Sequence, residues 1–83
     1  MKNKTITYSF LIPTQVDIDF HDLLNYCEEE ELTMIDLLYY KKDKRSKLIY
    51  DYLTIMGYNP NNFPASILKA IDEDFVNYMT KEE

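Results

Sequence analysis

The spacing of apolar residues changes once near the start of this chain, and the change falls at a single residue, Asp19. Before it, TITYSFLI (Thr5 to Ile12) sets Ile6, Tyr8, Phe10 and Ile12 against Thr5, Thr7, Ser9 and Leu11. That period of two, carried by β-branched and aromatic residues, predicts a half-buried strand. Pro13 ends it, because proline has no N–H to give to a ladder. Thr14 to Ile18, with Val16 and Ile18 on one side, can form a second short strand through a turn at Ile12-Pro13-Thr14-Gln15. After Asp19, an apt N-cap, Phe20, Leu23, Leu24 and Cys27 follow at i, i+3, i+4 and i+7, the spacing of one buried helical face.

The rest of the chain keeps the helical period. Thr33 to Asp36 resembles a capping box with its acid shortened to Asp, and it opens a second helix. Ile35, Leu38 and Tyr39 carry a stripe that Lys42, Arg45 and Ser46 interrupt. Ile49, Tyr52, Leu53 and Met56 resume it in the same phase. Either one helix runs from Met34 to Met56 with an exposed basic middle, or it breaks around Asp43; the retained phase favours continuity or a mild kink. Gly57, the only glycine, sits where a helix takes a left-handed residue just past its end. A loop follows at Tyr58 to Asn62, then Pro64 at the first turn of a last helix with Ile67, Leu68, Ile71, Phe75 and Met79 on its face. The fold class is therefore α+β and mainly helical: an N-terminal strand or short hairpin followed by about three helices. Residues 1–83 form one domain, since 83 residues are too few for two. Its core is drawn from Ile6, Phe10, Phe20, Leu23, Leu24, Ile35, Leu38, Ile49, Leu53, Ile67, Leu68, Ile71 and Phe75.

Charge is distributed unevenly. Between Thr5 and Tyr40 there is no lysine or arginine, while Asp17, Asp19, Asp22, Glu28, Glu29, Glu30, Glu31 and Asp36 supply −8. The run KKDKRSK, Lys41 to Lys47, then adds +4 within a net charge of −6. Surfaces normally mix both signs. The acidic stretch is either a solvated face or a field that draws in a basic surface of the kind that grips phosphates. The overall acidity argues against broad attraction to nucleic acid or to anionic membranes. No apolar run reaches the roughly 18 residues of a membrane span, and the single cysteine suits a reducing, cytoplasmic compartment.

Catalytic chemistry has little to work with. His21 and Cys27 are the only imidazole and thiol. Six residues apart on a helix, they point about 240° apart and cannot act as base and nucleophile. Cys27 reads as a small core residue, and His21 as an exposed one. The run Glu28 to Glu31 lacks the spaced oxygens and the glycine of a calcium loop, so no metal site is expected. One glycine excludes glycine-rich phosphate loops. No enzyme and no cofactor are expected. Of eight tyrosines, Tyr39 and Tyr52 lie on the apolar stripe and read as core. Tyr40 and Tyr50 fall off it, beside the basic run, and read as candidates for contact with a partner.

The order strand, helix, tight turn, helix, with LNYCEEEELTMIDLL from Leu24 to Leu38, resembles ribbon–helix–helix DNA-binding proteins. Thr33 and Asp36 stand where that family begins its second helix. The resemblance spans Thr5 to about Met56 and implies a dimer with paired N-terminal strands. Outward Thr5, Thr7 and Ser9 would then read DNA.

The leading expectation is different: a small acidic protein-binding regulator or inhibitor, of the type found in phages and mobile elements, with a DNA-mimic-like surface. Its partner would be a nucleic-acid-handling protein with a basic surface. The binding face would be Asp17, Asp19, Asp22 and Glu28, Glu29, Glu30 and Glu31. A secondary contact would be Tyr40, Lys41, Lys42, Lys44, Arg45, Lys47 and Tyr50. A homodimer through the N-terminal strand is the expected assembly. The ribbon–helix–helix regulator is the alternative, and a structural subunit of a larger assembly is a third.

Overall fold

A computed structural model of the chain describes residues 5–11 and 14–82. Lys2, Lys4 and the first half, Ile12-Pro13, of the turn expected over Ile12-Pro13-Thr14-Gln15 lie outside them. Strands β1 (Thr5–Leu11) and β2 (Thr14–Asp19) form an antiparallel hairpin. The register pairs Ile6 with Ile18 and Tyr8 with Val16, and it slips between Ser9 and Leu11. Pairing of even-numbered positions puts Ile6, Tyr8, Val16 and Ile18 on one face, with Val16 and Ile18 fully buried. Thr5, Thr7, Ser9, Gln15 and Asp17 are exposed on the other. Period two in the sequence thus becomes one wet and one dry face.

Helix α1 (Phe20–Glu29) starts where expected. The Asp19 carboxylate accepts from the amides of His21 (3.0 Å) and Asp22 (3.3 Å), satisfying donors that the helix leaves free. Phe20, Leu23, Leu24 and Cys27 are buried as their spacing implies. Phe20 packs against α3 (Ala65–Glu82). Its ring stacks on Phe75, with centroids 5.9 Å apart, and on Tyr78 at 6.1 Å. Ile71, Phe75 and Met79 of α3 are fully buried at i, i+4 and i+8, and the Pro64 carbonyl accepts from the Ile67 and Leu68 amides in the helix's first turn. Each large apolar side chain buried this way contributes about 1.5–3 kcal/mol.

The segment from Met34 to Met56 is broken, contrary to the continuity that its retained phase favoured. Thr33 and Asp36 do form the reciprocal cap: the Thr33 amide donates to the Asp36 carboxylate (3.3 Å) and the Asp36 amide to the Thr33 hydroxyl (3.2 Å). Residues Asp36–Tyr40 then wind as a π-helical turn, closed by the Lys41 amide on the Asp36 carbonyl at 2.6 Å. Lys41 leaves the helical region (φ −134°, ψ 40°), and Lys42–Lys44 make a 3₁₀ turn before α2 (Arg45–Ile55) begins. A wider turn takes residues off the 3.6-residue stripe. The buried pair is consequently Leu37 and Leu38, while Ile35 and Tyr39, both expected in the core, are 53% and 60% exposed.

In α2 the dry face is Leu48, Ile49, Tyr52 and Leu53. Met56, placed on that stripe by spacing, caps the helix end and faces outward. Gly57 follows with φ 98°, its amide on the Thr54 carbonyl and the Tyr58 amide on that of Leu53. This is a Schellman end, and glycine suits it for its left-handed backbone, since a Cβ there would meet no neighbour.

The displaced stripe can be tested directly. Leu37→Ala is expected to cost about 2–5 kcal/mol in urea denaturation, and Ile35→Ala no more than about 0.5 kcal/mol. Equal losses at the two positions would mean that Ile35 shares the core with Leu37 and that the stripe is not displaced.

Candidate partner-binding surface

Of the seven acids expected to form one face, six are exposed: Asp17, Asp22, Glu28, Glu29, Glu30 and Glu31. Asp19 is half-buried, held at the start of α1 by its cap. Asp17 accepts from the Thr7 hydroxyl across the hairpin at 2.6 Å. Asp22 accepts from the Tyr52 hydroxyl at 2.9 Å, which ties the first turn of α1 to α2.

The end of α1 is built at a cost. Glu30 is its C-cap, and Glu31 adopts φ 67°, the left-handed backbone that glycine takes at Gly57. The Glu31 amide donates to the Glu28 carbonyl and the Leu32 amide to that of Cys27, so α1 and α2 end in the same Schellman geometry. A residue with a Cβ pays about 1–2 kcal/mol for that conformation. Carboxylates at a helix C-terminus also oppose its dipole. Buried Leu32 supplies the apolar contact that usually accompanies this ending.

The acidic face is divided by what lies beside it. Glu30 and Glu31 share a cleft with Lys41, Lys44 and Lys47, floored by Leu32 and Leu48. The basic run therefore folds against the last turn of the acidic helix and balances it. Lys47 also pairs with Asp51 at 2.9 Å, which raises its pKa through the hydrogen bond and the carboxylate's charge. Further along the seam between α1 and α2 a second cleft runs between Asp22, Tyr26 and Glu29 and the end of α2 at Tyr52, Ile55 and Met56. Ile55 is 66% and Met56 48% exposed. Asp17 lies nearby, its amide 3.4 Å from the Tyr58 hydroxyl.

The residues expected as a secondary contact also separate. Tyr40, Lys41, Lys42 and Lys44 are exposed, as is Lys47. Arg45 points inward, with Nε and Nη2 on the Asp72 carboxylate (2.7 and 3.1 Å) and Nη1 on the Leu37 carbonyl (2.9 Å). Tyr50 is half-buried and its hydroxyl donates to Asn61. The pair Ile55 and Met56 was missed because helical spacing puts Met56 on the buried stripe, and only the position of the helix end turns it outward.

His21 is exposed, 3.5 Å from the Tyr78 hydroxyl through Nδ1. Burial, with help from Glu28 and Glu30, pushes the Cys27 thiol up to about 12. Among the described residues no group of His, Cys, Asp and Glu could hold a metal ion. Among them, too, no helix is long and apolar enough to cross a membrane. Models of known protein families, curated proteins and solved structures all give no match to this chain.

Replacing Glu31 by glycine removes both the backbone strain and a misplaced charge, against the entropy glycine adds to the unfolded chain. A net gain of about 0.5–1 kcal/mol is expected, read as a rise of roughly 2–8 °C in Tm. A loss of stability would show that Glu31 is held by attraction to the lysines more strongly than the backbone resists.

Stability should also fall in alkali. Tyr8 donates to Asp74 at 2.6 Å and Tyr52 to Asp22; burial first, then these carboxylates, raise both phenols well above 10. Folded-state pKa values above the unfolded ones mean that the unfolded chain releases its protons first, so the contribution is complete below the unfolded pKa and lost as pH rises. Urea midpoints should decline from about pH 9, where an unfolded Cys27 ionises, and more steeply above about pH 10. A midpoint constant up to about pH 11 would place these groups in water.

Proposed function

We propose that this chain is a small acidic protein-binding regulator or inhibitor. It presents carboxylates to a nucleic-acid-handling protein at the basic surface that protein uses for phosphates. The observation that supports this reading most is the pairing of charges. Among the described residues the ion pairs are Arg45 with Asp72 and Lys47 with Asp51, so no acid from Asp17 to Asp36 belongs to one. Glu31 strains the end of α1, and the acids that the lysines do not reach, Asp22 and Glu29 among them, repel one another, as residues retained for binding do. A basic partner relieves that repulsion and is drawn in faster at low salt.

The test is capture from an extract of the native host on the immobilised chain. Capture should be salt-sensitive, reversed by added duplex DNA, and lost in a variant carrying Asp17→Asn, Asp22→Asn, Glu28→Gln and Glu29→Gln. Equal capture by that variant, or indifference to DNA, would remove the acidic-face reading.

A dimeric ribbon–helix–helix-like DNA-binding regulator is the second reading. It is favoured by the reciprocal Thr33–Asp36 cap and by the exposure of Thr5, Thr7 and Ser9. In the two-stranded sheet β1 has a strand neighbour on one edge only, which leaves the other for a second copy. That reading requires the purified chain itself to bind duplex DNA with an affinity that falls as salt rises.

A further inference from the structure

We infer that the cleft between α1 and the last turn of α2 is a docking groove for a basic amphipathic segment of the protein partner, seated on Ile55 and Met56. The inference rests on the acidic-regulator reading and gives that surface a place.

At about 180 Å³ the cleft is smaller than the roughly 300–1,000 Å³ of small-molecule pockets, so it suits one or two side chains of a larger ligand. Its floor is apolar: Ile55 and Met56 are consecutive, exposed and unused by the core, and half-buried Tyr26 faces them across the groove. Methionine adapts its shape to what it meets, a property common at surfaces that take in apolar side chains. The charges on the rim have one sign. Asp22 and Glu29 line it and no lysine or arginine does. Asp19 lies close enough to act on the Tyr52 hydroxyl, as Asp22 does.

The other end of the same α1–α2 seam makes the comparison, because there Glu30 and Glu31 already face Lys41, Lys44 and Lys47. An apolar floor under an uncompensated acidic rim matches a segment with apolar residues on one side and lysine or arginine flanking them, as a helix laid in a groove presents them. The exposed Tyr39 and Tyr40, by contrast, run directly into Lys41 and Lys42 and have the opposite complement.

The probe is a fluorescent leucine–lysine peptide patterned as an amphipathic helix, followed by anisotropy. Controls are a scrambled peptide of equal composition and a version with glutamate for lysine. Binding should weaken about tenfold or more with Ile55→Ser and Met56→Ser together, and similarly with Asp22→Asn and Glu29→Gln together. Tyr39→Ser, at an exposed position away from the groove, should leave it unchanged. Ile55→Lys, at an exposed position, repeats the test by repulsion, and circular dichroism confirms that each variant is folded. The groove is overturned by binding unaffected by the Ile55 and Met56 variants, by equal binding of the scrambled or acidic peptide, or by loss with Tyr39→Ser. Loss with the Asp22 and Glu29 variant alone would overturn the groove and leave the acidic-regulator reading standing. No salt-sensitive binding to the unaltered protein would overturn both.

Discussion

Arg45 is the side chain on which the arrangement of the helices depends. Its guanidinium joins three elements at once: the π-helical turn through the Leu37 carbonyl, α2 through its own backbone, and α3 through a two-bonded grip on Asp72. The planar fork of arginine allows this where lysine would not. Both charged groups are largely withdrawn from water, with 17% and 25% of their side-chain surface exposed, so the pair is worth more than a surface bridge. The backbone between Leu37 and Arg45 must turn back to bring that fork to the carbonyl. A straight helix cannot supply this, and the break at residues 41–44 follows.

The break in turn sets the electrostatics. It carries Lys41 and Lys44 to the end of α1, where Glu30 and Glu31 meet them. An acidic helix that the sequence presents as uniform becomes two surfaces, one balanced internally and one left with Asp22 and Glu29 over exposed apolar side chains. The total of −6 therefore understates the local field at the second surface and overstates it at the first. Reversing Glu30 or Glu31 to lysine would add repulsion from the neighbouring bases, so these acids cannot be treated like Asp22 and Glu29.

What could be read from the sequence was what neighbouring residues decide. The hairpin's dry face, the Asp19 cap, the face of α1, the Thr33–Asp36 cap and the glycine end of α2 each depend on a few adjacent positions. The displaced stripe was not legible, because it depends on a wide turn that no residue type marks and on the pairing of Arg45 with Asp72, 27 residues further on. Nor was the left-handed Glu31, since glutamate is not the residue that conformation prefers. Leu32, an apolar residue after four glutamates, was the one local sign of a Schellman ending. The acids of the candidate surface were visible by type and position. Their division was not, because it follows from the break.

The most direct measurement is amide chemical-shift mapping on isotopically labelled protein titrated with the leucine–lysine peptide. The amides of Asp22, Tyr26, Glu29, Ile55 and Met56 should shift together and saturate at one peptide concentration, with residues 39–44 unmoved. Shifts confined to residues 39–44, or spread over every acidic position with no saturation, would mean that the cleft between α1 and α2 is not where this protein meets its partner.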